Sequence, residues 1–242
     1  RITDAADVLR KLDSDIIVLQ EVRDYEVCEA LVKAIGSKYQ VLVCSGFKSG
    51  FGGAKGLQQV AILSKYPAQS CWSEDWKSFG KVDPPRGFAF AQFKIDGKDI
   101  GVYGVHLKSN LIMGGDRFKT GQLNILKREL AAEQVLAHSK ELPNLLGGDF
   151  EAVIVAGDFN TNKDQMDFAS EKTLQTFSEN GFVSGFENTP LSQRVTHPRK
   201  GGYPDTTFDY IFVKGLIDQK TPPQITNTPV SDHLPVTRTL DI

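Results

Sequence analysis

The stretch AVIVAGDFN, residues 152–160, decides how this chain is read. Ala152 to Ala156 is a short run of small and β-branched apolar residues with no polar alternation, which predicts a strand covered on both faces. Gly157 breaks the run, and Asp158 and Asn160 follow at once. In layered α/β sheets ligands gather at strand ends, where rigid elements hold polar side chains over a crevice. Two residues apart, Asp158 and Asn160 would point the same way on an extended backbone. The same four residues could instead close an ordinary turn, with the side chains bonded to their own backbone.

Working outward, the junction of strand and polar residue recurs. Asp15 to Gln20 (DIIVLQ) is a second β-branched run, and Glu21 follows it. The strand predicted over Asp99 to His106 ends on His106, and that over Thr207 to Val213 carries Asp209 near its start. Asp232 and His233 lie in a turn before a closing strand that follows Pro235. Further strands are predicted over 39–44, 59–63 and 87–94, with an Asp96-Gly97 turn between the last of these and the strand ending at His106. Three helices are predicted. The first carries Ala5, Val8, Leu9 and Leu12 on one face. The second is capped by Asp24, buries Val27, Ala30, Leu31 and Ala34, and stops at Gly36. The third covers 116–140, with Leu123, Leu126, Leu130 and Ala137 inward and Lys127, Arg128 and Glu129 in water. The glycine-rich segment 45–56 reads as a flexible loop without a helix-opening phosphate motif. Strand, helix and strand in alternation give an α/β fold, and no linker or repeat divides it, so residues 1–242 are expected to form one domain.

Composition narrows the function. With 28 basic and 30 acidic side chains the net charge is −2, which argues against a broad nucleic-acid-binding face but allows a local grip on one phosphate. Cys28, Cys44 and Cys71 have no metal-ligand spacing and read as small buried hydrophobes; one disulfide with a free thiol stays open for an exported protein. No apolar run approaches the roughly 18–20 residues that span a bilayer. The chain opens at Arg1 inside a predicted helix, so an export signal ahead of it stays open and no compartment is assigned.

Acidic and imidazole groups gathered beside apolar strands are costly unless a cation or substrate compensates them. Oxygen ligands without cysteine suit Mg²⁺ or Mn²⁺. A histidine beside a carboxylate supplies a general base, and Asn160 an uncharged hydrogen-bonding group. Together they can run in-line attack of water on a phosphoester.

The ordered segments DIIVLQEV, VAILSKYP, GVHLKSN, VAGDFN, FDYIFV and SDHLPV, spanning residues 15–236, resemble the endonuclease/exonuclease/phosphatase superfamily of deoxyribonuclease I-like proteins, in a generic bacterial form. The resemblance implies a four-layer α/β sandwich: two packed mixed sheets flanked by helices, with the site at one end. It implies that Glu21 and Asp232 are metal-proximal, that Asp158 and Asn160 orient the attacking water, and that Asp209 bonds the catalytic His233. His106 takes the place of a residue that contacts phosphate or assists the leaving group. Arg86, in PPRGF, and Lys108 and Asn110, after His106, are expected substrate contacts. Family members begin with a strand whose Asn completes the metal shell. Here the chain starts in the helix that should follow it, so that strand is expected to be missing from the chain as given, since Asp15 to Gln20 would otherwise lack a sheet neighbour.

The activity so implied is Mg²⁺- or Mn²⁺-dependent hydrolysis of a phosphodiester, with DNA or RNA as the first substrate class and a monomer as the working form. A sphingomyelinase-like or other lipid or sugar phosphoesterase is the alternative, and a non-catalytic binding module on the same fold is the second. The signature segments of inositol polyphosphate 5-phosphatases are absent, and HLKSN replaces the asparagine-bearing segment of apurinic endonucleases. Trp72, Trp76 and Phe79 are expected in core packing rather than against a base or lipid, and His138 and His197 at the surface.

Overall fold

A computed structural model describes residues 1–36, 38–48, 55–112, 114–215 and 221–242; half of the glycine-rich segment, 49–54, lies outside the described residues. The helices are α1 (Ile2–Leu12), α2 (Tyr25–Ile35), α3 (Arg117–Leu146) and α4 (Thr173–Glu179). The strands are β1 (Ile16–Val22), β2 (Gln40–Cys44), β3 (Gln59–Ser64), β4 (Ser70–Asp75), β5 (Gly87–Ile95), β6 (Lys98–His106), β7 (Ala152–Asp158), β8 (Asp209–Gly215), β9 (Gln224–Ile225) and β10 (Val236–Thr237).

Two main sheets carry the fold, a three-stranded one ordered β1-β3-β2 and a five-stranded one ordered β4-β5-β6-β7-β8; β9 and β10 pair separately. The five-stranded sheet is mixed, because α3 carries the chain from β6 to a parallel β7 while the other pairs are antiparallel. Its central strands β6 and β7 are apolar on both faces, and period two sorts the side chains. Ile100, Val102, Ile154 and Ala156 meet Val60 and Ile62 of β3 between the sheets. Tyr103, Val105, Val153 and Val155 pack outward against Ala131, Ala132, Val135 and Leu136 of α3. Ala6 of α1 and Cys28, Leu31 and Ile35 of α2 cover the far side of the small sheet. The layers are helix, sheet, sheet, helix, as the family resemblance implied. Gly104 sits where the sheets come closest, since a Cβ there would lie 2.9 Å from Val18 and Val60 side-chain carbons.

Several local expectations are corrected. The inward stripe of α3 is Ile125, Arg128, Ala131, Ala132, Val135 and Leu136, whereas Leu126 and Ala137 are exposed. Arg128 was placed in water but is fully buried on Glu171, a partner 43 positions away that local periodicity does not reveal. The stripe of α2 is Cys28, Leu31 and Ile35, with Ala30 exposed; Asp24 does cap it, accepting from Val27 N at 2.9 Å. Strand β1 has a neighbour, antiparallel β3, contrary to the expectation that it would lack one. Along β1 runs a cleft of about 1710 Å³, lined by Ile16, Val18, Ile154, Ala156, Val236 and Leu240 among others. Trp76 is buried and Trp72 packs on the same core, but Phe79 is exposed. His138 is not at the surface: its Nδ1 lies 2.6 Å from the Tyr103 hydroxyl, among Trp72, Phe88 and Phe90. Cys28 is buried, Cys44 half-buried and Cys71 exposed, all as free thiols.

Candidate active site

Sheet register builds the floor of the site. His106 ends β6 opposite Asp158, the last residue of β7, and Asp158 lies opposite Asp209, the first residue of β8. Neighbouring strands lie about 4.8 Å apart, so one row across three strands sets these side chains side by side. Gly157 is demanded at φ 147°, because a Cβ would fall 1.9 Å from the Val105 carbonyl oxygen. Beyond it Phe159 is buried in the outer core, with its N–H bonded to Phe208 O at 2.8 Å. Asn160 is then forced to φ 52°. In that left-handed position its backbone N–H donates to Asp158 Oδ1 and its Nδ2 to Asp158 Oδ2, both at 2.8 Å, with a further bond to Leu107 O at 3.3 Å. The pair is united by a turn rather than by extended backbone.

Glu21 arrives differently. Strand β1 runs through it to Val22, but its register against β3 slips between Leu19 and Val22, and Glu21 takes φ 56°. Such a bulge re-aims a side chain that regular pleating would send elsewhere. Gln58 Nε2 donates to Glu21 Oε1 at 2.7 Å. Arg86, itself at φ 69°, donates to Gln58 Oε1 at 3.2 Å, to His106 O at 2.7 Å and to Leu107 O at 2.5 Å. Its guanidinium is thus engaged with the scaffold of Glu21 and His106. Burial, partly offset by the charges of Asp158 and Glu21, lowers Arg86 to about 10.

His233 comes from the loop before β10. Its Nδ1 lies 2.8 Å from Asp209 Oδ2. Burial pulls its imidazolium down, but the hydrogen bond and charge of Asp209, with Asp158 and Asp232 behind, outweigh it and hold it at about 9. Asp158 is driven above the ordinary carboxylate range, first by burial and then by the Asp209 charge. His106 Nε2 stands 3.5 Å from Asp158 Oδ2, while its Nδ1 is buried without a partner. Burial, then the charges of Arg86, His233 and Lys108, push His106 well below its usual range, so it is neutral. Asp232 is exposed, 3.7 Å from Lys200 Nζ.

Glu21, Asp158, Asp209, Asp232 and His233 line one cavity of about 180 Å³ with Gln20 and Ser231. It shares Glu21, Asp209, Asp232 and His233 with the larger cleft along β1. Lys108 and Asn110 are half-buried on the segment after β6 and do not border this cavity. Lys108 Nζ bonds Ser109 O at 2.7 Å, and burial followed by the charges of Arg86, Lys127 and Arg128 lowers it to about 8.

Sequence reading missed Thr196 and His197. Buried Thr196 accepts through Oγ1 from Phe208 N at 2.9 Å and Asp209 N at 3.1 Å, and its carbonyl accepts from Leu234 N at 2.7 Å. It ties the strand bearing Asp209 to the loop bearing His233. His197, expected at the surface, is half-buried with its ring centroid 4.9 Å from that of His233. No local pattern flags either residue, because their partners are brought in by the fold.

The donors fit a hard cation. Asp158, Asp209 and His233 offer ligand atoms within 4.8 Å of one another, Glu21 and Asp232 face the same cavity, and the donors are oxygen and imidazole without thiolate. A carboxylate held above its normal range by burial, and then by a neighbouring carboxylate, is the mark of a site short of positive charge.

Four layers with an acidic and imidazole cluster at one end of the sheets define the class: the chain matches the Endonuclease/Exonuclease/phosphatase family over residues 1–233 and belongs to it. It is 25% identical over 235 residues to a phospholipase C of Staphylococcus aureus, covering 91% of this chain and 68% of that protein. Among solved structures it resembles an endonuclease/exonuclease/phosphatase family protein from Leptotrichia buccalis at a TM-score of 0.63 and 18% identity, covering 100% of this chain and 92% of that one. It also resembles a mannosyl-6-phosphatase from Bacteroides thetaiotaomicron at 0.68 and 17%, covering 100% and 91%. Among the described residues no helix is long and apolar enough to cross a membrane.

Proposed function

We propose that this protein is a divalent-metal-dependent phosphodiesterase in which His233 activates water. The observation that carries the reading is the Asp209–His233 bond at 2.8 Å, set beside Asp158 in a cavity that Glu21 and Asp232 also line. Asp209 Oδ2 is engaged by the imidazole, which leaves Glu21 and Asp232 as the residues to hold the cation, Mg²⁺ or Mn²⁺. When bound, that ion neutralises developing charge on phosphate oxygens.

The chain's own groups divide the rest. Nδ1–H of His233 donates to Asp209, so Nε2 is the basic nitrogen that takes a proton from water. Amid carboxylates alone His233 keeps its own proton to about pH 9, so its action as a base at neutral pH requires a compensating positive charge nearby. Asp158, fixed by two bonds from Asn160, orients the attacking water. His106, neutral and beside Asp158, hydrogen-bonds the phosphate or the leaving oxygen without giving up a proton. Lys108 and Asn110 contact the substrate beyond the reacting phosphate, while Arg86 acts by holding the His106 carbonyl and Gln58.

Nucleic acid is the first substrate class for this site. A phospholipid headgroup is the second reading, favoured by the similarity to a phospholipase C and compatible with the near-neutral charge. A panel of plasmid DNA, RNA, sphingomyelin and inositol phosphates with Mg²⁺ separates them. Cleavage of DNA or RNA supports the first, turnover of sphingomyelin alone moves the assignment to lipid, and inertness toward every substrate and metal leaves a binding module.

A further inference from the structure

The dyad has a third ring that the chemistry above does not use. His233 is held in plane by one hydrogen bond, to Asp209, and its side chain stays 31% exposed on the cavity side. A single bond at Nδ1 fixes where the ring sits but not its tilt about that bond. His197 meets the His233 ring at 65° with centroids 4.9 Å apart. Phe208 lies nearly parallel to His233, 27° and 6.4 Å away, and His197 packs on Phe208 at 5.8 Å. The backbone under this wall is pinned: His197 N and Thr206 N exchange bonds with each other's carbonyls, and neighbouring Thr196 ties down Asp209 and Leu234. His197 Nδ1 is buried without a hydrogen-bond partner, so this nitrogen makes no polar contact that would explain the ring's placement.

We propose that His197 is a positioning residue for His233, serving as an aromatic wall that sets the tilt of the imidazole and so aims its Nε2 at the water. This rests on the reading of His233 as the base. A tilt of the ring displaces the basic nitrogen while leaving substrate contacts untouched, so the effect falls on kcat and spares KM. Loss of an edge-to-face ring contact corresponds to roughly a tenfold change at most.

The test compares His197→Phe, which keeps the wall and removes both nitrogens, with His197→Ala, which removes the wall. Turnover of bis(p-nitrophenyl) phosphate is measured with saturating Mn²⁺. Imidazole NMR spectra are recorded on the metal-free proteins, where four histidines contribute in the wild type and three in each variant. The expected result is kcat within about twofold of wild type for His197→Phe. His197→Ala is expected to lose about tenfold in kcat at unchanged KM, with the His233 ring signals shifted and broadened. Equal losses in both variants would assign the effect to the nitrogens and overturn the proposal, as would an Ala variant with native kcat and native His233 signals. An inactive wild type would remove the functional reading instead, and the ring signals would still decide whether His197 orders His233.

Discussion

Arg128 offers a demanding test, because its environment was invisible in the sequence. Its side chain is 0% exposed and that of Glu171 1%, joined by two bonds of 2.8 and 2.5 Å. The remaining terminal nitrogen donates to Lys108 O at 2.9 Å, and the guanidinium lies 5.5 Å from the Phe168 ring centre. Arg128→Met leaves Glu171 buried with only the Thr173 hydroxyl, 2.7 Å from Oε1, for company. Removing one partner of a buried pair costs about 3–5 kcal/mol. The orphaned Lys108 carbonyl adds about 1–3 kcal/mol. A loss of roughly 4–8 kcal/mol is a large part of ordinary domain stability and, at a urea slope of about 2.5 kcal/mol/M, lowers the midpoint by roughly 1.5–3 M. The double variant Arg128→Met/Glu171→Leu removes the stranded charge and should recover most of that loss. Its kcat/KM should nevertheless stay low, since the segment carrying Lys108 and Asn110 still lacks its tether. Urea melts followed by circular dichroism decide the matter. A single variant within about 1 kcal/mol of wild type, or a double variant no better than the single, would refute the reasoning.

Other outcomes follow from the same geometry. Asp209→Asn should keep the fold and KM but lower kcat by roughly 10³–10⁴, as loss of the group that fixes a catalytic imidazole does elsewhere; a native rate in steady-state kinetics would break the dyad. Gly157→Ala drives a Cβ into the Val105 carbonyl at 1.9 Å and should destabilise by about 3 kcal/mol or fail to fold, read by the urea midpoint. The metal-free protein should melt highest near pH 6.5. Below that, burial keeps His106, His138 and His197 neutral in the fold, so the unfolded chain gains protons and stability falls with pH. Above it, His233, raised to about 9, loses its stabilising charge as pH climbs toward that value. A melting temperature still rising from pH 6.5 to 9 would contradict the upper limb, and one falling from pH 5 to 6.5 would contradict the lower.

The α/β character of the fold was legible because β6 and β7 are apolar on both faces and end abruptly in His106 and Asp158, whereas the four layers were implied only by the family resemblance. The turn at Asp96-Gly97 and the cap at Asp24 were legible from local chemistry. Strand β4 was not, since SCWSED is polar and lies at the sheet edge, where only part of one face is covered. The helix α3 was visible but its face was not, because the stripe against the sheet includes two alanines and a buried, paired arginine in place of a run of large apolar residues. Within the site, the residues on strand ends were nameable, whereas their means of approach were not. Glu21 depends on a bulge, Asn160 on a left-handed turn, and Arg86 on carbonyls brought to it by β6. His197 and Thr196 act through partners from β8 and the 232–234 loop, and no spacing in their own segment announces them.

Under the proposed function, a divalent cation and His233 act jointly in hydrolysis within this cavity. The most direct measurement is turnover of bis(p-nitrophenyl) phosphate by metal-stripped protein, the same protein restored with Mg²⁺ or Mn²⁺, and His233→Ala under the restored conditions. The account predicts no rate without metal, recovery on addition, and a loss of orders of magnitude in His233→Ala at an unchanged circular dichroism spectrum. Hydrolysis that persists in the stripped protein, or at full rate in His233→Ala, would contradict it.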